Sequence, residues 1–158
     1  TDLEKGSITP STFRAEIRKM LHLNVSDEKI DEAWNSILLD FPKQHIALLE
    51  RLQSQYRIFL LSNTNEIHYD CFTKKLSDEY GYKSLAALME KDYYSHTLGI
   101  RKPSLEIYQT VLHRAGIEAD ETLFIDDSEV NIESAKQVGL VTYHLQDDES
   151  VIDIFSEI

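Results

Sequence analysis

The sequence is poor in the residues that build disulfides and flexible linkers. Its 158 residues include one cysteine, Cys71, together with three prolines and five glycines. A lone cysteine forms no internal disulfide and excludes a Cys-based zinc site, which indicates a reducing compartment. We also find no internal repeat and no segment with the composition of a linker. The length and composition therefore predict one domain, or one domain with a small appendage.

Basic residues and long apolar runs are scarce as well. Sixteen Lys and Arg stand against 28 Asp and Glu, for a formal net charge of −12. This charge disfavours binding to nucleic-acid phosphates or anionic lipid, which require clustered Lys and Arg, but it tolerates a divalent cation. No run approaches the roughly 18 apolar residues of a membrane span, and no signal-peptide pattern is present. We predict a soluble cytoplasmic protein with neither a nucleic-acid nor a membrane partner.

The first 40 residues predict a pair of amphipathic helices. Thr9 and Pro10 provide an N-cap and a helix-compatible proline, and apolar residues then recur at helical spacing. Ser26 is the predicted N-cap of the second helix, which carries Trp34 on its apolar stripe. Because such helices need to bury one side, we expect this pair to pack against another part of the protein.

From Phe41 onward the sequence alternates between helical patterns and short apolar runs. Unbroken apolar runs of this length are typical of parallel strands that are buried on both faces. Repeated strand–helix units predict an open α/β sheet with right-handed crossovers. Strands are predicted at 57–62, 93–97, 122–126 and 140–145, followed by an acidic amphipathic segment with Val151, Ile154, Phe155 and Ile158.

Polar groups follow two of these strands, at the edge of the sheet where ligands bind in α/β proteins. Ser62 and Asn63 precede a helix, so a hydroxyl and free N–H groups could hold a phosphate oxygen; ordinary helix capping is the alternative. Lys102 follows the predicted strand at 93–97. Its ammonium could neutralise a phosphate and a carboxylate; a solvent-exposed surface lysine is the more common alternative.

An acid pair, Asp126 and Asp127, lies at the end of the predicted strand at 122–126. Two adjacent carboxylates repel each other and need a counter-charge, and Mg²⁺ typically takes one or two protein carboxylates. An exposed helix cap is the alternative, but the predicted burial of the strand favours Mg²⁺. A hydroxyl donor, a lysine and a metal-binding acid pair together supply what phosphoryl transfer requires.

The order of these groups resembles the haloacid dehalogenase (HAD) superfamily of aspartate-nucleophile phosphohydrolases over nearly the whole chain. The matching strings are FLLSNTN, GIRKP and LFIDDSEVNIESAKQVGL. The wording HTLGIRKPSLEIYQTVL is most similar to the helical-cap subgroup that includes sugar-phosphate and glucose-1-phosphate phosphatases. The resemblance implies an α/β fold with a HAD-like (Rossmann-like) parallel sheet, helices on both faces, a partial helical cap at 1–40 and the core at 41–158.

The resemblance also implies roles for the phosphate-site residues. Ser62 and the Asn63 backbone would hold the transferring phosphoryl group of a small phosphorylated metabolite. Lys102 would act in catalysis by steadying the phosphate and the nucleophile. We therefore predict a Mg²⁺-dependent phosphomonoesterase whose substrate is a small molecule such as a sugar phosphate.

At the metal site the resemblance implies that Asp127 is the direct Mg²⁺ ligand. Asp126 would lie beside it, in or near the coordination sphere. Asn131 would occupy a position where many members of the superfamily carry a further acid. The acid pair argues against a metal-free dehalogenase.

One motif of the superfamily is missing from this sequence. D-x-D-x-T/V at the end of an apolar strand supplies the nucleophile, and the nearest string, Asp2-Leu3-Glu4, follows no strand pattern. In the family that strand lies between the strands ending at Ser62 and Asp126, so we expect a central slot. We expect this chain to be a truncated or proteolysed part of a longer enzyme and to be inactive alone. We also expect it to dimerise or exchange strands across the slot.

A second hypothesis belongs to a different functional class. The short chain would be natural and would serve as a non-catalytic binding or regulatory module. In that case the slot would accept a strand from a partner protein.

Overall fold

The computed structural model describes residues 1–156, which form an α/β architecture. Within these residues, no helix is long and apolar enough to cross a membrane. In chain order the elements are α1 (Pro10–Leu21), α2 (Asp27–Asn35), α3 (Lys43–Leu52), β1 (Phe59–Ser62), α4 (Glu66–Tyr80), β2 (Lys91–Tyr94), α5 (Ser95–Leu98), α6 (Leu105–Ala115), β3 (Leu123–Asp126), α7 (Glu129–Gln137), β4 (Val141–His144) and α8 (Val151–Ile154). Short 3₁₀ helices span Leu85–Leu88 and Ala119–Glu121.

The sequence signals at the helix ends are largely confirmed. The Thr9 hydroxyl accepts an N–H from the first turn of α1, and the Asn65 side chain does the same for α4. Gly81 ends α4 with a φ of 77°, a left-handed conformation that glycine adopts without steric cost. Ser26 stands at the predicted N-cap of α2, but its side chain makes no capping hydrogen bond.

The prediction of a strand over 93–97 is wrong at its second half. The strand β2 ends at Tyr94, and Ser95 begins the short helix α5. Gly99 closes this turn by donating its N–H to the Ser95 carbonyl from a left-handed conformation. The predicted apolar segment near the C-terminus forms α8, while Ile158 lies outside the described residues.

The four strands form two separate parallel pairs within residues 1–156, which agrees with the expected slot between the strands ending at Ser62 and Asp126. β1 pairs with β2 so that Ser62 stands opposite Tyr94, and β3 pairs with β4. The strands are therefore less buried than predicted, since Leu123 is 45% exposed and Val141 is 50% exposed. Parallel strands are buried on both faces when helices cover both faces, and the side chains of Leu123 and Val141 lack such a cover among the described residues.

Backbone alternation shows which edge of each pair is unpaired. The Ile58 carbonyl accepts an N–H at the start of β2, so the carbonyl of Leu61, three residues on, points to the opposite edge. The Asp126 carbonyl accepts an N–H just after β4, so the polar backbone groups of Ile125 also point away from their partner strand. β1 and β3 thus each present one edge that no strand of residues 1–156 covers.

The first two helices pack on each other and then on α4. The rings of Phe13 and Trp34 lie 4.6 Å apart, and Trp34 stacks on His68 of α4 at 5.6 Å. The His68 Nε2 atom also lies 3.1 Å from the Trp34 carbonyl oxygen. Beneath this contact lies a buried apolar cluster of Leu3, Phe13, Ile30 and Ile67.

Leu76 of α4 tests the packing of the core, since none of its surface is exposed and it packs with Ile46 and Leu88. Leu76→Ala leaves a cavity, so we expect the free energy of unfolding to fall by about 3 kcal/mol in urea denaturation. Leu39 is 87% exposed and provides the matched control, for which we expect a change below about 0.5 kcal/mol. Equal losses for the two variants would contradict this core.

Candidate active site

Lys102 connects the ends of the two strand pairs. Its Nζ atom donates to the Leu61 carbonyl of β1 at 2.8 Å and to Asp126 Oδ2 of β3 at 2.6 Å. Both charged side chains are buried, at 10% and 7% exposure. An ammonium has three N–H donors, so these two hydrogen bonds leave one donor for a ligand.

Asn63 fixes the backbone on which Lys102 is mounted. Its side-chain Nδ2 donates to the Lys102 carbonyl at 3.0 Å, and its Oδ1 accepts the Lys102 N–H at 2.9 Å. The side-chain amide of Asn63 therefore satisfies both the N–H and the C=O of Lys102, as a residue of a neighbouring strand would. The sequence predicts a role for the Asn63 backbone alone, because the partner of its side chain lies 39 residues away.

Ser62 is the last residue of β1, and α4 begins four residues later. Among residues 1–156, no hydrogen-bond partner holds the Ser62 hydroxyl, which leaves it available to a ligand. The next residues are firmly held, since Thr64 is 6% exposed and Asn65 is 2% exposed. The Ser95 hydroxyl makes hydrogen bonds to the Thr64 backbone. The sequence pattern places Ser95 only within a predicted strand and does not indicate this contact.

Asp126 is held in its ionised form by three groups around it. Its Oδ1 accepts the Ser128 N–H at 2.9 Å and the Asn131 Nδ2 at 2.8 Å, while Oδ2 faces Lys102. Burial by itself raises the pKa of this carboxyl, but the hydrogen bonds and charge of Lys102, with the Asn131 amide, outweigh burial and hold the pKa below its usual value. Asn131 therefore orients the acid pair through Asp126.

Asp127 is exposed, and no donor or cation among residues 1–156 holds its carboxylate. Its backbone carbonyl faces His144 Nε2 at 3.1 Å. Two adjacent carboxylates with one unpartnered side chain fit Mg²⁺, which takes few protein ligands and keeps water or substrate oxygens. The described residues contain no group of three or more His, Cys, Asp or Glu that could hold a metal by themselves.

The string Asp2-Leu3-Glu4 does not form a strand end. These residues lie in a turn, with Leu3 only 3% exposed inside the cluster beneath α1 and α2. Glu4 contacts Arg101 at 3.3 Å, one residue before Lys102. In the described residues, Asp126 is thus the carboxylate that Lys102 contacts.

Comparison with known proteins agrees with this geometry. The chain is 28% identical over 144 residues to a D-ribitol-5-phosphate phosphatase of Bacteroides thetaiotaomicron, covering 90% of this chain and 68% of that protein. A HAD family enzyme of the same organism, solved with magnesium and inorganic phosphate, is 41% identical with a TM-score of 0.88, covering 98% of this chain and 77% of that one. Its magnesium complex is 40% identical with a TM-score of 0.93, covering 99% and 78%.

A further structure lies within the same fold. The predicted HAD-like family hydrolase of Porphyromonas gingivalis is 28% identical with a TM-score of 0.89, over 98% of this chain and 75% of that one. These likenesses confirm the predicted HAD-like α/β fold. The family model for haloacid dehalogenase-like hydrolases matches residues 12–139. This chain is therefore a member of the haloacid dehalogenase-like hydrolase family.

Proposed function

We propose that the protein containing this chain is a Mg²⁺-dependent phosphomonoesterase that acts on a small phosphorylated metabolite. The observation that carries the proposal is the buried Lys102 ammonium, which donates to Asp126 and to the carbonyl of Leu61, the residue before Ser62. This arrangement presents a cation and a hydroxyl donor to one anion. The similarity to a D-ribitol-5-phosphate phosphatase supports a sugar or sugar-alcohol phosphate as the substrate.

Each predicted site residue has a distinct task in this proposal. The Ser62 hydroxyl, the Asn63 N–H and the third N–H of Lys102 would bind oxygens of the transferring phosphoryl group. Asp127, with Asp126 beside it, would hold Mg²⁺. The bound metal supplies positive charge that neutralises phosphate oxygens. Magnesium and inorganic phosphate in a 41% identical HAD family enzyme support this assignment.

We also propose that residues 1–40 belong to a helical cap and residues 41–158 to a core whose sheet contains a further strand between β1 and β3. The unpaired edges of β1 and β3, linked through Lys102, support this position for the strand. The strand would carry the nucleophilic aspartate. Its carboxylate would attack phosphorus, and the ester oxygen would leave as the alcohol after taking a proton from the second aspartate of the same D-x-D motif. Water would then attack the aspartyl-phosphate and give a proton back to that second aspartate, releasing inorganic phosphate and restoring the nucleophilic carboxylate.

The metal assignment is tested by phosphate release from the complete gene product, using a panel of sugar and sugar-alcohol phosphates. We expect release that requires Mg²⁺ and that EDTA abolishes. Asp127→Asn should lower the rate about a hundredfold at limiting Mg²⁺, because a charged oxygen ligand is lost. Asp147→Asn, at an exposed acid after β4, is the matched control and should stay near wild type. Absence of Mg²⁺-dependent release from every substrate would contradict the proposal.

Lys102→Ala tests the ion pair, because the substitution leaves the buried Asp126 carboxylate without its cation. We expect kcat to fall by roughly 10²–10³-fold. We also expect the free energy of unfolding to fall by about 3 kcal/mol. Lys136→Ala is the control, since Lys136 pairs with Glu133 on the exposed surface of α7. A Lys102→Ala protein with wild-type kcat would contradict the assigned role.

The isolated 158-residue chain tests the proposed strand. It retains Ser62, Lys102 and the acid pair, but within residues 1–156 no strand between β1 and β3 carries an aspartate, so we expect no turnover. We also expect self-association through the two unpaired edges, measured by size-exclusion chromatography with light scattering. Measurable turnover, or a stable monomer, would contradict the corresponding half of this prediction.

The unpaired edges also favour a second candidate function. A non-catalytic module could use the space between β1 and β3 to accept a strand from a partner. The intact mass of the native protein separates the two candidates. A mass that matches these 158 residues favours the module, and a larger mass favours the enzyme.

A further inference from the structure

Ser95 lies where β2 ends and α5 begins, and no part of its surface is exposed. The pairing of β1 with β2 sets Tyr94 opposite Ser62, so Ser95 comes next to the residues that follow Ser62. A fully buried hydroxyl is costly unless hydrogen bonds satisfy it. The partners of Ser95 therefore indicate why a polar residue stands at this position.

Both hydrogen bonds of the Ser95 hydroxyl go to a single residue of the neighbouring loop. The hydroxyl donates to the Thr64 carbonyl at 3.0 Å and accepts the Thr64 N–H at 3.0 Å. One hydroxyl thus satisfies both polar backbone groups of Thr64, which is itself only 6% exposed. This arrangement fixes the orientation of the peptides on either side of residue 64.

The loop that Ser95 holds is the one that carries the proposed phosphate donors. Because the Thr64 N–H is occupied by Ser95, it is withdrawn from any ligand, and the Ser62 hydroxyl and the Asn63 N–H are the donors that precede it. The Asn63 side chain is tied to Lys102 on the other side. The loop is consequently anchored at two successive residues, 63 and 64. Donors fixed in advance bind a charged group without having to reorganise.

We propose that Ser95 is a positioning residue that locks the Thr64 peptide and so directs the Ser62 hydroxyl and the Asn63 N–H toward a phosphate oxygen. This inference rests on the proposed function of the same site. Asp126 and Asp127 lie on the other strand pair, and Ser95 makes no contact with them among the described hydrogen bonds. Loss of the Ser95 hydroxyl should therefore weaken phosphate binding and leave Mg²⁺ binding unchanged.

The test compares Ser95→Ala with Thr97→Ala in the complete gene product. Thr97 is the matched control because its hydroxyl, on the same short helix, donates to the Tyr94 carbonyl at 2.8 Å and not to the phosphate loop. We expect Ser95→Ala to raise the dissociation constant of inorganic phosphate roughly tenfold, as for loss of a buried hydrogen-bonded pair. The Mg²⁺ activation constant should stay within about twofold, and Thr97→Ala should change neither value.

Ser95→Cys provides a second variant if Ser95→Ala fails to fold. The thiol keeps a weak donor of similar size, so we expect a smaller rise in the phosphate dissociation constant, about threefold. A folded variant at residue 95 with wild-type phosphate affinity would overturn the proposal, as would equal weakening of phosphate and Mg²⁺. A wild-type protein that binds phosphate without hydrolysing any ester refutes the proposed function alone, while one that binds no phosphate refutes both.

Discussion

The buried ion pair of Lys102 and Asp126 is the interaction on which the rest of the site depends. Removing two charges from water costs several kcal/mol per ion, and their attraction offsets this only when further hydrogen bonds complete the geometry. Here the Leu61 carbonyl accepts from the ammonium, and the Ser128 N–H and the Asn131 amide donate to the carboxylate. Each of these groups is needed because the charges are buried; the Leu61 carbonyl comes from β1, and Ser128 and Asn131 come from the start of α7.

This pair also explains how the two strand pairs share one site. The β1–β2 pair carries Ser62 and Asn63, and the β3–β4 pair carries the acid pair. The described strands make no backbone hydrogen bonds between these two pairs. The Lys102 side chain, from the loop after α5, contacts both pairs through Leu61 and Asp126. The proposed phosphate donors and the proposed metal-binding acids are thereby held together by side-chain hydrogen bonds.

The local sequence predicts much of this structure and leaves specific parts out of reach. Helix starts such as Thr9 and the strand ending at Asp126 depend on short-range capping and apolar patterns, so they are visible in the sequence. The division into two strand pairs follows from the missing family motif, whereas the early end of β2 at Tyr94 depends on long-range neighbours that local patterns do not contain. The side-chain role of Asn63 and the buried position of Ser95 have the same origin, since their partners lie 39 and 31 residues away.

His68, in the first turn of α4, contacts both α2 and the loop that precedes α4. The first turn of this helix packs against α2. Its N-cap, Asn65, is the last residue of the proposed phosphate-binding loop. A swing of α1 and α2 away from α4 must separate the indole from the imidazole, whereas a movement that carries α4 along must displace the loop. A movement of α1 and α2 and the alignment of the proposed phosphate-binding loop would therefore be coupled through His68.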